Sequence, residues 1–201
     1  MSKLLEHDRF FVSQKTKLIE LTNEYKIFDE EGEEIGMVRQ EGQSGLRKAL
    51  RFVSSVDQFL TTKLSVYDEN QQKIAELTRP AKFIKSKVLI NDGSGRQVGQ
   101  IVQKNAIGKI NFGIEGAQGE PIGEIRGQNW RAWDFQIVDQ AGQEVGIITK
   151  KWEGLLRTAF TTADRYLVEI KPEVSGDHRL LLVSSALCID TALKQDARGI
   201  G

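Results

Sequence analysis

The chain has 201 residues, and its 28 Lys and Arg residues balance its 28 Asp and Glu residues. A neutral chain has no overall field that attracts nucleic acid or an anionic membrane, so we expect no nucleic-acid partner, and membrane binding requires a local basic patch. The lone cysteine, Cys188, excludes an internal disulfide framework and is typical of a reducing cytoplasm.

The N-terminal residues MSKLLEHDRFF lack the apolar segment of a secretory signal peptide. Phe10–Gln14 reads as a first strand that could extend through residues 17–21. At this length, one domain covering residues 1–201 is the expectation.

Five segments then share one pattern, with the last four starting 24, 24 and 23 residues apart. They are YKIFDEEGEEIGMV from Tyr25, LSVYDENQQKIAEL from Leu64, VLINDGSGRQVGQI from Val88, FGIEGAQGEPIGEI from Phe112 and FQIVDQAGQEVGII from Phe135. Apolar and polar residues alternate in the first half of each segment, which predicts a strand. A turn follows, and three segments carry Asp-x-x-Gly there, beginning at Asp29, Asp92 and Asp139. Each segment therefore predicts a β-hairpin.

Each return strand carries Ile or Val followed by a small residue. The small residues are Gly36, Ala75, Gly99, Gly123 and Gly146. Glycine within a strand marks a bend, a bulge or a close approach of backbone. A small residue recurs at the same position of every return strand. This predicts a sheet that curls into a barrel, or a bulky element packed against one face of the sheet.

Two basic segments lie between hairpins. Residues 43–56 separate the first two hairpins, and helical spacing of Leu46, Leu50 and Val53 predicts a short surface helix there. Its basic side chains, Arg47, Lys48 and Arg51, join Lys82, Lys85 and Lys87 of AKFIKSK as a candidate site for lipid or another anion. The alternative interpretation of these lysines is a solvated strand edge.

After the last hairpin, Arg165–Lys171 predicts one strand and residues 178–195 predict one helix, with Asp177 as its N-cap. The helix is apolar on nearly every face, which indicates burial on all sides. Five hairpins and two flanking strands make twelve, and a barrel wider than eight strands has a lumen that can hold a helix. The predicted fold is a mainly β, twelve-stranded barrel, with strands over residues 10–171, enclosing the C-terminal helix.

This order of elements resembles the tubby C-terminal-like superfamily, and most closely its LURP-one-related and phospholipid scramblase branch. The resemblance rests on FFVSQKTKLIELTNEYKIFDEEG, NWRAWDFQIVDQAGQEVGIITKKWEG, FTTADRYLVEI and LLLVSSALCIDTALKQ. It implies a twelve-stranded barrel around a hydrophobic helix, and an association with phospholipid and calcium. The calcium segment of scramblases is acidic, whereas here Thr162 replaces one acidic position and Arg165 stands beside Asp164. We therefore predict no metal or other cofactor, with calcium at this degraded segment as the alternative.

No catalytic constellation stands out. A triad of His178, Ser184 and Asp190 would place two members in the buried helix, and Asp190 there is better explained by a structural role. Trp130, Trp133 and Trp152 are better explained by packing at the barrel end than by lipid contact. The leading hypothesis is a non-enzymatic barrel, either cytoplasmic or peripherally bound to a membrane, that binds phospholipid or another anionic ligand. The alternative is a protein-interaction scaffold with no lipid role.

Overall fold

The computed structural model describes residues 2–14, 24–41, 61–80, 87–104, 111–129, 134–150 and 165–196. Its strands are β1 (Arg9–Gln14), β2 (Glu24–Phe28), β3 (Glu34–Glu41), β4 (Thr62–Asp68), β5 (Lys73–Arg79), β6 (Lys87–Asp92), β7 (Gln97–Gln103), β8 (Asn111–Gly116), β9 (Pro121–Asn129), β10 (Asp134–Asp139), β11 (Glu144–Thr149) and β12 (Arg165–Ile170). A short helix α1 (Lys3–Glu6) precedes β1, and α2 (Gly176–Asp196) follows β12.

The twelve strands form one closed antiparallel barrel. Each strand pairs with its neighbours in sequence, and β1 pairs with β12 to close the ring, with Phe10 opposite Val168. The predicted fold class is confirmed. The first and last strands and the C-terminal helix begin and end within two residues of the predicted bounds, whereas β3 and β9 extend three and four residues beyond their predicted segments. The helix predicted over residues 43–56 lies outside the described residues.

Helix α2 packs against the inner face of the barrel wall. Leu180–Val183 and Ala186–Ile189 are buried in the same core as inward-facing strand residues such as Ile27, Ile90 and Ile137. The helix contacts β5, β6, β7, β8 and β12 most closely. Ser184 and Ser185 are also buried, so this stretch of the helix has no solvated face.

The small residue of each hairpin follows a β-bulge. Ile27 pairs with Gly36 and Phe28 pairs with Glu34, so Ile35 has no residue opposite it. The same extra residue recurs in the other four hairpins, as Ile74, Val98, Ile122 and Val145. All five pack in or against the core. The Ile/Val-small pair is therefore the sequence signature of a bulge that bends each return strand and increases its twist.

Close approach of backbone explains why the residue after the bulge is small. A Cβ at Gly36 would lie 2.7 Å from the carbonyl oxygen of Tyr67 on the adjacent strand, and one at Gly146 would lie 2.5 Å from that of Glu169. At Gly99 a Cβ would also meet Leu181 of α2, at 2.8 and 3.0 Å. Both causes predicted for these glycines, wall curvature and a bulky neighbour, are therefore present.

The hairpin turns are held by a carboxylate. In the first turn, Asp29 Oδ1 accepts a hydrogen bond from the Glu33 N–H at 2.8 Å, and equivalent bonds form at Asp68, Asp92 and Asp139. The fourth turn has Gly116 instead, and a Cβ there would collide with the carboxylate of Glu120. Glu120 accepts a hydrogen bond from the Gln118 N–H at 2.9 Å, so it supplies the missing carboxylate from the other side of the turn.

The second turn contains the one non-glycine residue of the described segments with positive φ. Gln71 has φ of +60°, whereas Gly32, Gly95, Gly119 and Gly142 occupy this position in the other turns. A side chain in the left-handed region costs about 1–2 kcal/mol. We expect Gln71→Gly to raise the free energy of unfolding by about 1 kcal/mol in urea denaturation. A stabilisation no larger than that of the neighbouring control, Gln72→Gly, would contradict this account.

One capping prediction was wrong. Asp177 was expected to be the N-cap of the helix, but α2 begins at Gly176 and the Arg179 N–H bonds to the Ser175 carbonyl. Asp177 lies in the first turn instead, where its carboxylate accepts two hydrogen bonds from Arg96 on the third hairpin.

Candidate functional site

The antiparallel order gives the barrel two different ends. The turn end carries the five hairpin turns, residues 29–33, 68–72, 92–96, 116–120 and 139–143, together with the link 171–175 from β12 to α2. At the connection end, six longer segments join successive strand pairs, from β1–β2 through β11–β12. Helix α2 starts at the turn end and runs toward the connection end.

Arg179 closes the turn end. Its side chain is only 8% exposed and donates hydrogen bonds to the carbonyls of Lys171 and Val174 at 3.3 and 3.1 Å. It also donates to the His7 carbonyl at 2.7 Å and to Asp8 Oδ1 at 2.8 Å. One guanidinium thus joins the N-terminal segment, the β12–α2 link and the helix. Leu4 of α1 is fully buried beside them.

A second arginine ties the third hairpin to the helix. Arg96 donates to both Asp177 oxygens, at 2.8 and 2.9 Å, and to Asp92 at 2.9 Å. Arg96 lowers the pKa of Asp177, while the Ser94 hydroxyl is the main cause of the lowered pKa of Asp92. These groups are exposed, so their contribution is to position the helix start rather than to add much stability.

The turn end is acidic. Its turns and link, counted through Asp177, contain eleven acidic residues but only two basic ones, Arg96 and Lys171. The acidic residues are Asp29, Glu30, Glu31, Glu33, Asp68, Glu69, Asp92, Glu120, Asp139, Glu173 and Asp177. Since the whole chain is neutral, an equal positive charge must be carried elsewhere.

The outer wall is close to neutral, because its charges are paired across strands. Lys63 binds Glu76 at 3.1 Å, and Lys104 binds Glu124 at 2.5 Å. The Lys63 and Lys104 ammonium groups lower the pKa values of their carboxylate partners. Tyr67 donates to Glu41 at 2.5 Å and lowers the pKa of that carboxyl. Pairing of this kind leaves no strong field on the wall.

The excess positive charge is found in the segments that leave the connection end. Residues 15–23, 42–60, 81–86, 105–110, 130–133 and 151–164 contain eleven Lys and Arg residues but only four Asp and Glu residues. All three tryptophans also belong to these segments. The structures of these segments lie outside the described residues, but the strand ends that they join all lie at this end of the barrel.

One of the six predicted lipid-binding residues belongs to the described part of the chain. Lys87 is the exposed first residue of β6. The other five, Arg47, Lys48, Arg51, Lys82 and Lys85, lie outside the described residues, in the segments that join β3 to β4 and β5 to β6. Strands β3, β4, β5 and β6 are successive neighbours in the barrel, so the strand ends that these two segments join lie side by side at the connection end.

The lumen becomes polar toward the connection end. Gln40, Arg79 and Gln103 stand four residues beyond the small residues of their strands and are at most 8% exposed. Arg79 donates to the Thr62 hydroxyl at 3.0 Å. The sequence analysis did not single out this layer, although its spacing from the repeated small residue would have revealed it.

Nothing in the described part of the lumen resembles a reactive site. Burial raises the pKa of the Cys188 thiol to about 12, so it stays protonated and unreactive. No group of three His, Cys, Asp or Glu residues that could hold a metal occurs among the described residues. Asp164 and Thr162 lie outside those residues, whereas Arg165 begins β12 and lies over the Phe28 ring at 5.4 Å.

Comparisons with known proteins identify a family that this chain resembles. The sequence profile of the scramblase family matches residues 1–193. A phospholipid scramblase family protein of Schizosaccharomyces pombe is 24% identical over 182 residues, covering 82% of this chain and 46% of that protein. The chain therefore spans about half the length of this curated relative. Within the described residues, no helix is both long and apolar enough to cross a bilayer.

Proposed function

This chain belongs to the scramblase family, and from that we propose that it is a non-enzymatic phospholipid-binding domain that docks its connection end on an anionic membrane surface. The observation that carries the proposal is the axial separation of charge. The turn end is acidic, the wall ion pairs cancel, and the segments leaving the connection end hold eleven basic residues against four acidic ones.

Such a charge distribution orients the barrel. An anionic surface attracts the connection end and repels the turn end, so a chain with no net charge can still bind in one orientation. Docking of this kind is peripheral, and we assign it to the cytoplasmic side, in keeping with the lone buried Cys188.

Vesicle co-sedimentation tests the proposal. We expect binding at low salt to phosphatidylcholine vesicles that contain phosphatidylserine, and much weaker binding to phosphatidylcholine alone. Each basic residue near an anionic membrane contributes about 1 kcal/mol, so reversing the charge of Lys82 and Lys85 together should weaken binding by at least roughly 30-fold.

The matched control reverses two lysines at the opposite end. Lys3→Glu with Lys171→Glu changes the net charge by the same amount, but at the turn end, and should leave vesicle binding nearly unchanged. Absence of binding at low salt, or equal loss in the two double variants, would overturn the proposal. A protein partner that requires residues 43–56, in a chain that binds no vesicles, would support the scaffold function instead.

A further inference from the structure

Residues 2–7, which we call the strap, cover the turn end without belonging to the barrel wall. Helix α1 of the strap contacts β3 and α2. Leu4 is fully buried, whereas Lys3 and Glu6 are exposed. A Cβ on Gly36 would lie 3.4 Å from Leu4 Cδ2, so Leu4 fills space that the missing side chain leaves at the first hairpin. The strap is therefore anchored mainly by one leucine in one apolar socket.

Few other contacts hold the strap. The Lys3 N–H donates to Glu69 Oε2 at 3.2 Å, and the His7 carbonyl accepts a hydrogen bond from Arg179 at 2.7 Å. Helix α1 has four residues and no side-chain cap, and the buried Ser2 hydroxyl has no hydrogen-bond partner among the described residues. A helix of one turn has little stability of its own, and a buried hydroxyl without a partner opposes burial. Because ordering six residues also costs conformational entropy, the closed strap is only weakly favoured.

Opening of the strap leaves the barrel intact. The Asp8 carbonyl accepts a hydrogen bond from the Ile170 N–H at 2.8 Å, and the ladder between β1 and β12 begins one residue later. Asp8 therefore stays with the wall when the strap leaves. Arg179 then loses the His7 carbonyl but keeps its other three acceptors. The hinge lies between His7 and Asp8.

The open socket favours a basic occupant. It lies at the end of the barrel whose turns and link carry eleven acidic residues and two basic ones. The strap matches the apolar socket but not this charge, because the exposed Glu6 adds another negative charge there. A second copy of this chain is disfavoured, since two acidic turn ends repel each other. A segment that combines a leucine with basic neighbours matches both the socket and the charge.

We propose that the turn end is a docking site for a basic, leucine-containing segment of a protein partner, and that the strap occupies this site in the free chain. Displacement of the strap by the partner is a local exchange of one leucine for another. The site does not depend on membrane docking. In the orientation proposed above it faces away from the membrane, so that both ends of the barrel can be occupied together.

Hydrogen exchange followed by mass spectrometry tests the strap in the unmodified chain. The N–H groups of Leu5 and His7 are bonded only within the strap, to the carbonyls of Ser2 and Lys3. Local opening should therefore let them exchange at least about 100-fold faster than the paired N–H groups of β1. Exchange as slow as that of β1 would show that the strap belongs to the cooperative barrel, and would overturn the proposal.

Peptide binding, followed by fluorescence anisotropy, tests the docking site in the full chain. The probe is a labelled peptide with the sequence of residues 2–8 but with lysine at the positions of Glu6 and Asp8. A strap that is mostly closed lowers the apparent affinity by the fraction of open molecules. Leu4→Ser empties the socket, so it should bind the probe at least about tenfold more tightly than the unmodified chain. Leu89→Ser, the same change at a half-buried position of β6, should leave the affinity unchanged.

Two further peptides define the chemistry of the occupant. A lysine peptide with serine at the position of Leu4 cannot fill the socket and should not bind. The peptide with the unaltered sequence of residues 2–8 should bind several-fold more weakly than the lysine peptide at low salt, and the difference should vanish at high salt. Binding of the serine peptide, or equal binding of the lysine and unaltered peptides at low salt, would overturn the proposal.

The variants also keep this site separate from membrane docking. A lysine peptide that binds Leu4→Ser no better than the unmodified chain would overturn the docking site. If Leu4→Ser fails to fold by circular dichroism, Lys3→Pro opens the strap by removing the N–H that donates to Glu69, and proline is tolerated at the first residue of a helix. Leu4→Ser should co-sediment with vesicles as the unmodified chain does, so either proposal can fail while the other stands.

Discussion

Replacing Arg179 by Met is expected to lower the free energy of unfolding by about 3 kcal/mol, because a buried guanidinium with several hydrogen bonds is lost. Its four acceptors come from the N-terminal segment and the β12–α2 link. Methionine fills much of the same volume, but the carbonyls of His7, Lys171 and Val174 lose this donor. Urea denaturation followed by circular dichroism measures the change.

Asp8→Asn is the matched control for Arg179. The Asp8 side chain is 47% exposed and provides one of the four acceptors, so its replacement should cost no more than about 1 kcal/mol. Arg179→Lys keeps the charge but lacks the planar guanidinium that reaches four acceptors. Its loss of unfolding free energy should therefore lie between those of Arg179→Met and Asp8→Asn. If Asp8→Asn is as costly as Arg179→Met, the ion pair rather than the carbonyl network closes this end.

Removing the chain after Asp177 should abolish cooperative folding. Helix α2 contributes six buried Leu, Ile and Val residues, namely Leu180, Leu181, Leu182, Val183, Leu187 and Ile189. At about 1.5–3 kcal/mol for each buried side chain, their contribution is about 9–18 kcal/mol, which is as large as the roughly 5–15 kcal/mol by which native proteins are stable. We expect an insoluble or molten product without near-ultraviolet circular dichroism or a cooperative thermal transition.

The substitution Leu187→Ala distinguishes the effect of losing the whole helix from the effect of losing one buried side chain. Leu187→Ala should cost about 2–5 kcal/mol and retain a cooperative transition, because most of the helix–wall contact survives. A truncated chain that melts cooperatively as a soluble barrel would show that the wall is stable with an empty lumen. The helix would then be an accessory of the barrel instead of part of its core.

Local chemistry made the strand count predictable. Each hairpin repeats its alternation, its turn carboxylate and its small residue, and these features depend only on residues close in sequence. A bulge was one of the causes considered for the glycines within strands, but its position at Ile35 and the equivalent residues was not predicted, since an extra residue in one strand is visible only once the opposite strand is aligned. Asp177 was misassigned as a cap because its actual partner, Arg96, is 81 residues away.

The candidate site was predictable only in part. Basic residues could be identified from composition, but their common location depends on strand order. The role of Arg179 could not be predicted from the sequence. Nothing in the neighbouring residues indicates that its side chain bonds to a carbonyl 172 residues away.

Pairing of β1 with β12 has a consequence for biosynthesis. One edge of β1 pairs early with β2, but its other edge pairs with residues 165–169, so that edge of the nascent sheet stays open until β12 has left the ribosome. Open edges invite association with other chains, and late, long-range pairing is slow. The apolar helix is synthesised later still, yet it belongs inside the ring. Closure of the barrel and burial of the helix are therefore expected to occur together, after β12 and α2 have been synthesised. Until then the open strand edge and the apolar helix are exposed, so this is the stage at which the protein depends most on chaperones.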